Sequence, residues 1–441
     1  MSTDYIKPQL SSGFRDYLPK DQIPRQKMIK TIRLVFENFG FVPLKTPAIE
    51  RRINLTGGNK DFDMQIFEAK LKGSSKELAL RFDLTVPLAR VMAAYPDLEK
   101  PFKRYQLGRV WRGEKPQAGR YREFLQFDVD IVGSKNILTD SEIIAVIFKT
   151  MKALGVDNFS IKVNNRKILN GLYQYVGFDK KNTKDILRII DKKEKKSWSD
   201  LKKEFKKEVN LNDDQIQKIK DFINIKPGKT QVLEKVKDLM GESKQALKGI
   251  NELSQIIKNL KALGVNDNNW NIDLSIARGL GYYTGTVFET VLNDLPSIGS
   301  VFSGGRYDNL VNRFSPADIS GVGASIGVDR FFAAMDKLGL VKESKTKSQV
   351  IVLPLSQDCF LESQKIVSQL RKNNIASEIY LGETDSFKEK IIYAAKKQIP
   401  VSLIIGPDEI ENGVVQIKDM EKEKQTEVKK DNLIKKVKEI I

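Results

Sequence analysis

The sequence of 441 residues contains no histidine. That absence removes imidazole acid–base catalysis, histidine-assisted nucleophiles and histidine metal ligands. Cysteine is almost missing too: the single Cys359 excludes an intramolecular disulfide and fits a reducing compartment. No window reaches the length of a membrane span, and the start, MSTDYIKPQL, lacks the basic-then-apolar pattern of a secretory signal. A cytoplasmic protein with no membrane partner is therefore expected. There is no internal repeat, no low-complexity tract, and no GxGxxG or Walker phosphate loop. The chemistry is left to arginine, lysine, carboxylates, tyrosine, a bound metal or the substrate itself.

What is present in excess is positive charge. Lys and Arg number 75 against 57 Asp and Glu, a net charge of +18. Such a surplus points to a polyanionic partner, nucleic acid first and an anionic membrane second. Hydrophobic content of 40% with 30% charged residues fits a globular chain with more than one core.

Periodicity divides the chain. Residues 22–39 read as an amphipathic helix after Pro19, and FVPLKTPAIE as a broken strand. ELALRFDLTVPLARVMAA (77–94) reads as a strand turning into a helix. Strands are expected at 103–112 and 122–132 around the loop GEKPQAGR, then a helix at 139–154 and the strand FSIKVNN. From 171 to 262 the texture turns Lys-rich, Gly-poor and helical, which marks an inserted domain. Its charge run DKKEKKSWSDLKKEFKKE reads as a solvated helix face or as an RNA contact. Strands resume at 271–276, 286–293 and 300–303, and a helix begins near Val328. After a polar linker at 341–348, residues 349–441 alternate strand and helix as an α/β module with a parallel sheet as one option.

Four stretches carry candidate chemistry. GRYREFLQFDVD (119–130) puts Phe124, Gln126, Asp128 and Asp130 on one strand face and Leu125, Phe127 and Val129 on the other. That pattern suits a surface strand, or a site that grips a phosphate at one end and a hydrogen-bonding group at the other. LRFDLT (80–85) places Arg81, Asp83 and Thr85 on one strand face. A carboxylate with a hydroxyl suits an ammonium group, and a helix N-cap explains Asp83 or Thr85 equally. ARGLGYYTGTVFE (277–289) sets Arg278, Tyr282 and Tyr283 among glycines, as an anion ligand or as a bulged strand. FSGGRYDNL and GVGASIGVDRF (302–310, 321–331) form a glycine-rich strand entering a helix beside Arg330. Together they offer Arg112, Arg120, Arg278 and Arg330, the aromatic Phe124, acids and amides, and no activated nucleophile. Such a set suits phosphoryl or nucleotidyl transfer, where positioning and charge stabilisation do most of the catalysis.

These motifs resemble those of histidyl-tRNA synthetases, class II aminoacyl-tRNA synthetases, over nearly the whole chain. Residues 107–133 look like class II motif 2, FGFVPLKTPAIE like motif 1 and GVGASIGVDRF like motif 3. RGLGYYTG and LRFDLT are similar to signatures peculiar to the histidyl enzymes, and GFRDYLP and SGGRYDNL match the same family. The resemblance implies an α+β protein: an antiparallel class II sheet core with helices in 1–170 and 263–340, a helical insertion at 171–262, and an α/β anticodon-binding domain at 349–441. It implies ATP and Mg2+ as cofactors, L-histidine and tRNA(His) as substrates, and a homodimer. It assigns no metal-ligating residue. Carried over by motif, Arg112 and Arg278 would act on the α-phosphate. Phe124 and Arg330 would sandwich adenine, with Glu114 facing its amine and Arg120 the outer phosphates. Asp83, Thr85 and Gln126 would take the ammonium group, and Asp130 and Tyr283 the imidazole nitrogens, with Tyr282 beside them. Lys115 and Gln117 would meet the tRNA acceptor end. Gly281 stands where the family usually carries Asp. A catalytically silent paralogue serving as a regulatory subunit, and an RNA-binding sensor, are the competing readings.

Overall fold

The computed structural model describes residues 6–58, 66–115, 121–193, 196–277 and 283–441. The chain divides into two units, one built from residues up to Arg15 with Met28–Val341 and the other from Asp16–Lys27 with Lys342–Ile441.

The larger unit is organised by a sheet whose strands are β1 (Val42–Pro43), β5 (Phe102–Trp111), β6 (Glu123–Val132), β7 (Phe159–Asn165), β8 (Trp270–Ile272), β9 (Thr286–Leu292), β10 (Phe302–Tyr307) and β11 (Gly321–Gly327). Their spatial order is β1-β5-β6-β11-β10-β9-β7-β8. The central pairings are antiparallel, and within this sheet only the flanking pairs β1–β5 and β7–β8 are parallel among the described strands. A small antiparallel sheet of β2 (Ile49–Arg51), β3 (Glu68–Ala69) and β4 (Leu78–Leu80) stands apart from it.

Alternation along β6 decides which face is the core. Phe127, Val129 and Ile131 are buried in the main apolar cluster, together with Ile143, Ile144 and Ile147 of the helix Leu138–Ala153 and Phe331 of the helix Val328–Lys337. With a period of two, Gln126, Asp128 and Asp130 must then point to the opposite face. The register carries this polar row across the sheet: Arg104 lies opposite Asp130, and Asp130 opposite Gly323. Gln106 likewise lies opposite Asp128, and Asp128 opposite Ser325.

The segment expected to be helical is helical. Leu201, Phe205 and Val209 form the buried stripe of the helix Trp198–Val209, whose N-terminus is capped by Ser197 accepting from the Asp200 amide. The lysine run lies on the outer side and pairs with acids: Lys192 and Lys196 with Glu204, Lys202 and Lys206 with Asp213. It is a solvated, salt-bridged face.

In the smaller unit β12 (Val350–Pro354), β13 (Ser377–Ile379), β14 (Val401–Ile405), β15 (Val414–Asp419) and β16 (Lys424–Lys429) run in the order β13-β12-β14-β15-β16. The first three are parallel, joined through the helices Phe360–Lys372 and Phe387–Lys396, while β14–β15–β16 are antiparallel. The sheet is mixed, which corrects the parallel option. The sequence reading also missed β16, an edge strand of KQTEVK that is exposed along nearly its whole length. Two further boundaries shift. β8 stops at Ile272 rather than 276 because Asp273 Oδ1 accepts from the amide (3.0 Å) and hydroxyl (2.6 Å) of Ser275, closing a turn. β10 runs to Tyr307 rather than ending at 303.

Among the described residues no helix is long and apolar enough to cross a membrane.

Candidate active site

The polar face of the sheet floors a cavity of about 420 Å³. It collects residues from all four stretches singled out in the sequence. β6 gives Phe124, Gln126, Asp128 and Asp130, and the strand end and loop before it give Arg112, Glu114 and Lys115. Asp83 and Thr85 enter from the start of the helix Thr85–Ala94, Tyr283 from the segment before β9, and Arg330 from the helix after β11. Arg278, Tyr282, Arg120 and Gln117 lie outside the described residues.

Asp83 has a different function for each oxygen. Oδ1 accepts from the Val86 amide at 3.1 Å and so caps the helix. Oδ2 is buried with no hydrogen-bond partner among the described residues. Burial pushes this carboxyl up to about 6, against the Val86 amide and the charges of Arg112 and Arg313. Gln126 is alike: its Nε2 donates to Ser325 Oγ at 2.6 Å, and its buried Oε1 has no hydrogen-bond partner among the described residues. Two unpaired acceptors in one buried site are costly unless a donor arrives. A cationic group rich in N–H bonds fits that need.

Arg81 is a correction. β4 ends at Leu80, so Arg81, Asp83 and Thr85 do not share a strand face. The Arg81 guanidinium is buried and tied to backbone, Nη1 to the Thr46 carbonyl at 2.8 Å and Nε to the Arg109 carbonyl at 2.9 Å. It fastens β5 to the chain ahead of it.

At the other end of the cavity Arg112 is anchored through Nε to the Phe82 carbonyl at 3.1 Å, and its guanidinium lies 5.1 Å from the centre of the Phe124 ring. Arg330 Nη1 donates to the Ser300 carbonyl at 3.1 Å. Asp329 Oδ2 accepts from the Leu125 amide at 2.6 Å, which locks the helix that carries Arg330 to β6. An aromatic ring with one guanidinium beside it, in a cavity lined by a second oriented guanidinium, suits a nucleotide base and its phosphates.

Two partners of Asp130, Arg104 and Tyr307, have no role in the sequence reading. Asp130 Oδ2 lies 2.7 Å from Arg104 Nη2, and Oδ1 accepts from Tyr307 Oη at 2.7 Å. Tyr307 reaches Asp130 across β11, and that strand carries Gly321 and Gly323 at the crossing. A Cβ on Gly321 would strike the Tyr307 ring, and one on Gly323 the Asp130 carboxylate. The two glycines are there for close approach. Asp128 is buried beside them and pushed up to about 7, by burial first and by Asp130 and Asp83, against Arg104 and Ser325. The partial signal available in sequence was the GxG of β11 opposite an acid-bearing strand. Arg306 of SGGRYDNL faces elsewhere: it is buried and pairs with Asp140, with Ser134, Thr139 and Ser320 as further partners.

An antiparallel sheet bearing a nucleotide-sized, arginine-edged cavity, followed by a separate mixed-sheet unit, defines a class II aminoacyl-tRNA synthetase. A family model described as histidyl-tRNA synthetase matches residues 13–331, and one described as anticodon binding domain matches 349–440. The histidine–tRNA ligase of Clostridium tetani is 44% identical over 444 residues, spanning 99% of this chain and all of the relative. That of Wolinella succinogenes is 43% identical over 420 residues and 94% of each chain. The crystal structure of histidyl-tRNA synthetase from Nostoc sp. PCC 7120 superimposes with a TM-score of 0.88 at 35% identity, over 99% of this chain and all of that one. The chain belongs to the histidyl-tRNA synthetase family. A solved structure described as an ATP phosphoribosyltransferase regulatory subunit/histidyl-tRNA synthetase from Bacillus halodurans C matches at 21% identity with a TM-score of 0.75, which speaks for the fold alone.

Proposed function

We propose that the chain joins L-histidine to tRNA(His) in two steps within this cavity. The histidine carboxylate attacks the α-phosphorus of ATP and pyrophosphate leaves. The 3′-terminal ribose hydroxyl of the tRNA then attacks the activated carbonyl and AMP leaves. The observation that carries the reading is the pair of unpaired buried acceptors, Asp83 Oδ2 and Gln126 Oε1, in the same cavity as Arg112 and Asp130.

Asp83, Gln126 and Thr85 hold the substrate ammonium, and Asp130 and Tyr283 bind the two ring nitrogens, with Tyr282 alongside. A site made of a buried acid and a phenol strands both groups when a side chain lacks opposed nitrogens, a mismatch worth roughly 10⁴–10⁵ in discrimination. Arg112 and Arg278 steady the α-phosphate and the incoming carboxylate. Phe124 and Arg330 clasp adenine, Glu114 faces its amine, and Arg120 takes the outer phosphates. Lys115 and Gln117 meet the acceptor end of the tRNA, which residues 349–441 hold at the anticodon.

Mg2+ prefers phosphate oxygens, water and one or two carboxylates over a protein cage. Among the described residues no group of three or more acids is placed to hold a metal, and Glu289 is a buried carboxylate lining the cavity. That set fits an ion carried by the ATP phosphates, with Glu289 to hold it. Bound there, it would neutralise phosphate charge. The chain works as a cytoplasmic homodimer paired through the FGFVPLKTPAIE region.

The deciding assay is ATP–pyrophosphate exchange with each amino acid, followed by charging of tRNA transcripts with and without an extra 5′ guanosine. Exchange that depends on histidine alone is expected. A silent regulatory paralogue or an RNA-binding sensor gives no exchange, and that result would end the proposal.

A further inference from the structure

Arg104 does not line the cavity, yet it is the largest wholly buried side chain behind it, with a relative exposure of 0%. It sits directly opposite Asp130 in the β5–β6 register and meets Oδ2 at 2.7 Å. We infer that Arg104 is a positioning residue for amino-acid selection: its guanidinium fixes Asp130 as a hydrogen-bond acceptor, so that the site demands an N–H from the incoming side chain. This rests on the histidine reading given above.

The Asp130 carboxyl group is buried to 2% exposure. Alone in such a place it would hold a proton, because burial disfavours the charged form. The groups facing it are Arg104 from β5, Asp128 from its own strand and Tyr307 from β10, with Asp83 and Tyr283 across the cavity. β11 contributes no charge there, since Gly323 is its neighbour in register. Of the facing groups, Arg104 is the cation in contact. Burial raises Asp130, and Arg104 first and the Tyr307 phenol second work against it. A protonated Asp130 would present a hydroxyl or a carbonyl without preference, and the demand for a donor would weaken. Tyr307 cannot fill the gap, because a neutral phenol supplies one hydrogen bond and no charge.

The test compares Arg104→Met and Arg104→Lys with the wild type in histidine-dependent pyrophosphate exchange between pH 6 and pH 9. Dividing each variant's histidine KM by that of the wild type cancels the substrate's own ionisation. For Arg104→Met the ratio is expected to be roughly 30- to 100-fold near pH 6 and to fall several-fold by pH 9, as Asp130 loses its proton unaided. The KM for ATP should move by less than about 3-fold. Arg104→Lys keeps the charge and loses the planar guanidinium whose Nη2 meets Asp130. It should raise the histidine KM by roughly 10-fold with a ratio that stays flat across pH, and it carries the test if the methionine variant fails to fold. A flat ratio for a folded Arg104→Met, equal rises in both KM values, or an unchanged histidine KM in either variant would overturn the role of Arg104 while leaving the histidine reading intact. A wild type inactive with histidine would overturn that reading and this role together.

Discussion

The Tyr307 phenol on β10 reaches over an entire intervening strand to Asp130 on β6, Oη to Oδ1 at 2.7 Å. The two residues are 177 positions apart in sequence, and both are 2% exposed. Removing the hydroxyl leaves a buried carboxylate oxygen short of a donor. Tyr307→Phe is expected to lower unfolding stability by about 1–3 kcal/mol. Urea denaturation of the variant reads this directly, and an unchanged midpoint would mean that water replaces the phenol.

Gly323 allows that reach. Gly323→Ala adds one carbon where the Asp130 carboxylate already lies. Overpacking of this kind costs about 1–3 kcal/mol, and the acid must turn away from Arg104 or from Tyr307. The expected result is a raised KM for histidine with a smaller change for ATP, together with a lower melting temperature. Wild-type kinetics in the alanine variant would show that the strand yields freely at this point.

Asp128 gives a pH-dependent prediction. Its folded carboxyl titrates at about 7, while an unfolded aspartate titrates near 3.9. The folded state therefore binds the extra proton between those values, and stability falls as pH rises through that window. The penalty is absent below about pH 4 and complete above about pH 7. Asp128→Asn, measured without substrate, should gain stability relative to the wild type as pH is raised, by up to a few kcal/mol, on the order of the shift itself. Parallel stability curves for the two proteins from pH 4 to pH 8 would contradict this.

Arg306 separates framework from chemistry. Its guanidinium is buried against Asp140, with Nη2 also donating to Thr139 Oγ1 at 2.8 Å and Nη1 to the Ser134 carbonyl at 3.1 Å. Arg306→Met strands a buried carboxylate, and a loss of about 3–5 kcal/mol is expected. Chemical denaturation checks it. A variant as stable as the wild type would mean that Asp140 takes up a proton at little cost.

Much of this arrangement was legible in the sequence because it is written in short-range periods. Alternation in EFLQFDVDIV assigned Phe127 and Val129 to the core and Gln126, Asp128 and Asp130 to the other face, as observed. The Lys-rich, Gly-poor texture of 171–262 likewise marked a helical region, and Trp198–Val209 is one of its helices. What stayed hidden depends on long-range register. Nothing local says that Arg104 will lie opposite Asp130, or that Tyr307 will cross Gly321, since those meetings follow from how β5, β10 and β11 are aligned with β6. Arg81 was misread for the same reason. Its partners Thr46 and Arg109 come from distant segments, and only they turn it inward. β16 escaped because an edge strand with both faces in solvent shows no apolar alternation.

The glycine crossing at 321 and 323 also bears on attempts to retarget the scaffold. A library that enlarges Gly321 strikes the Tyr307 ring, and one that enlarges Gly323 strikes the Asp130 carboxylate, before any new substrate arrives. Diversity for an unnatural amino acid belongs instead at positions such as Tyr283 that line the cavity, with the two crossing positions held constant.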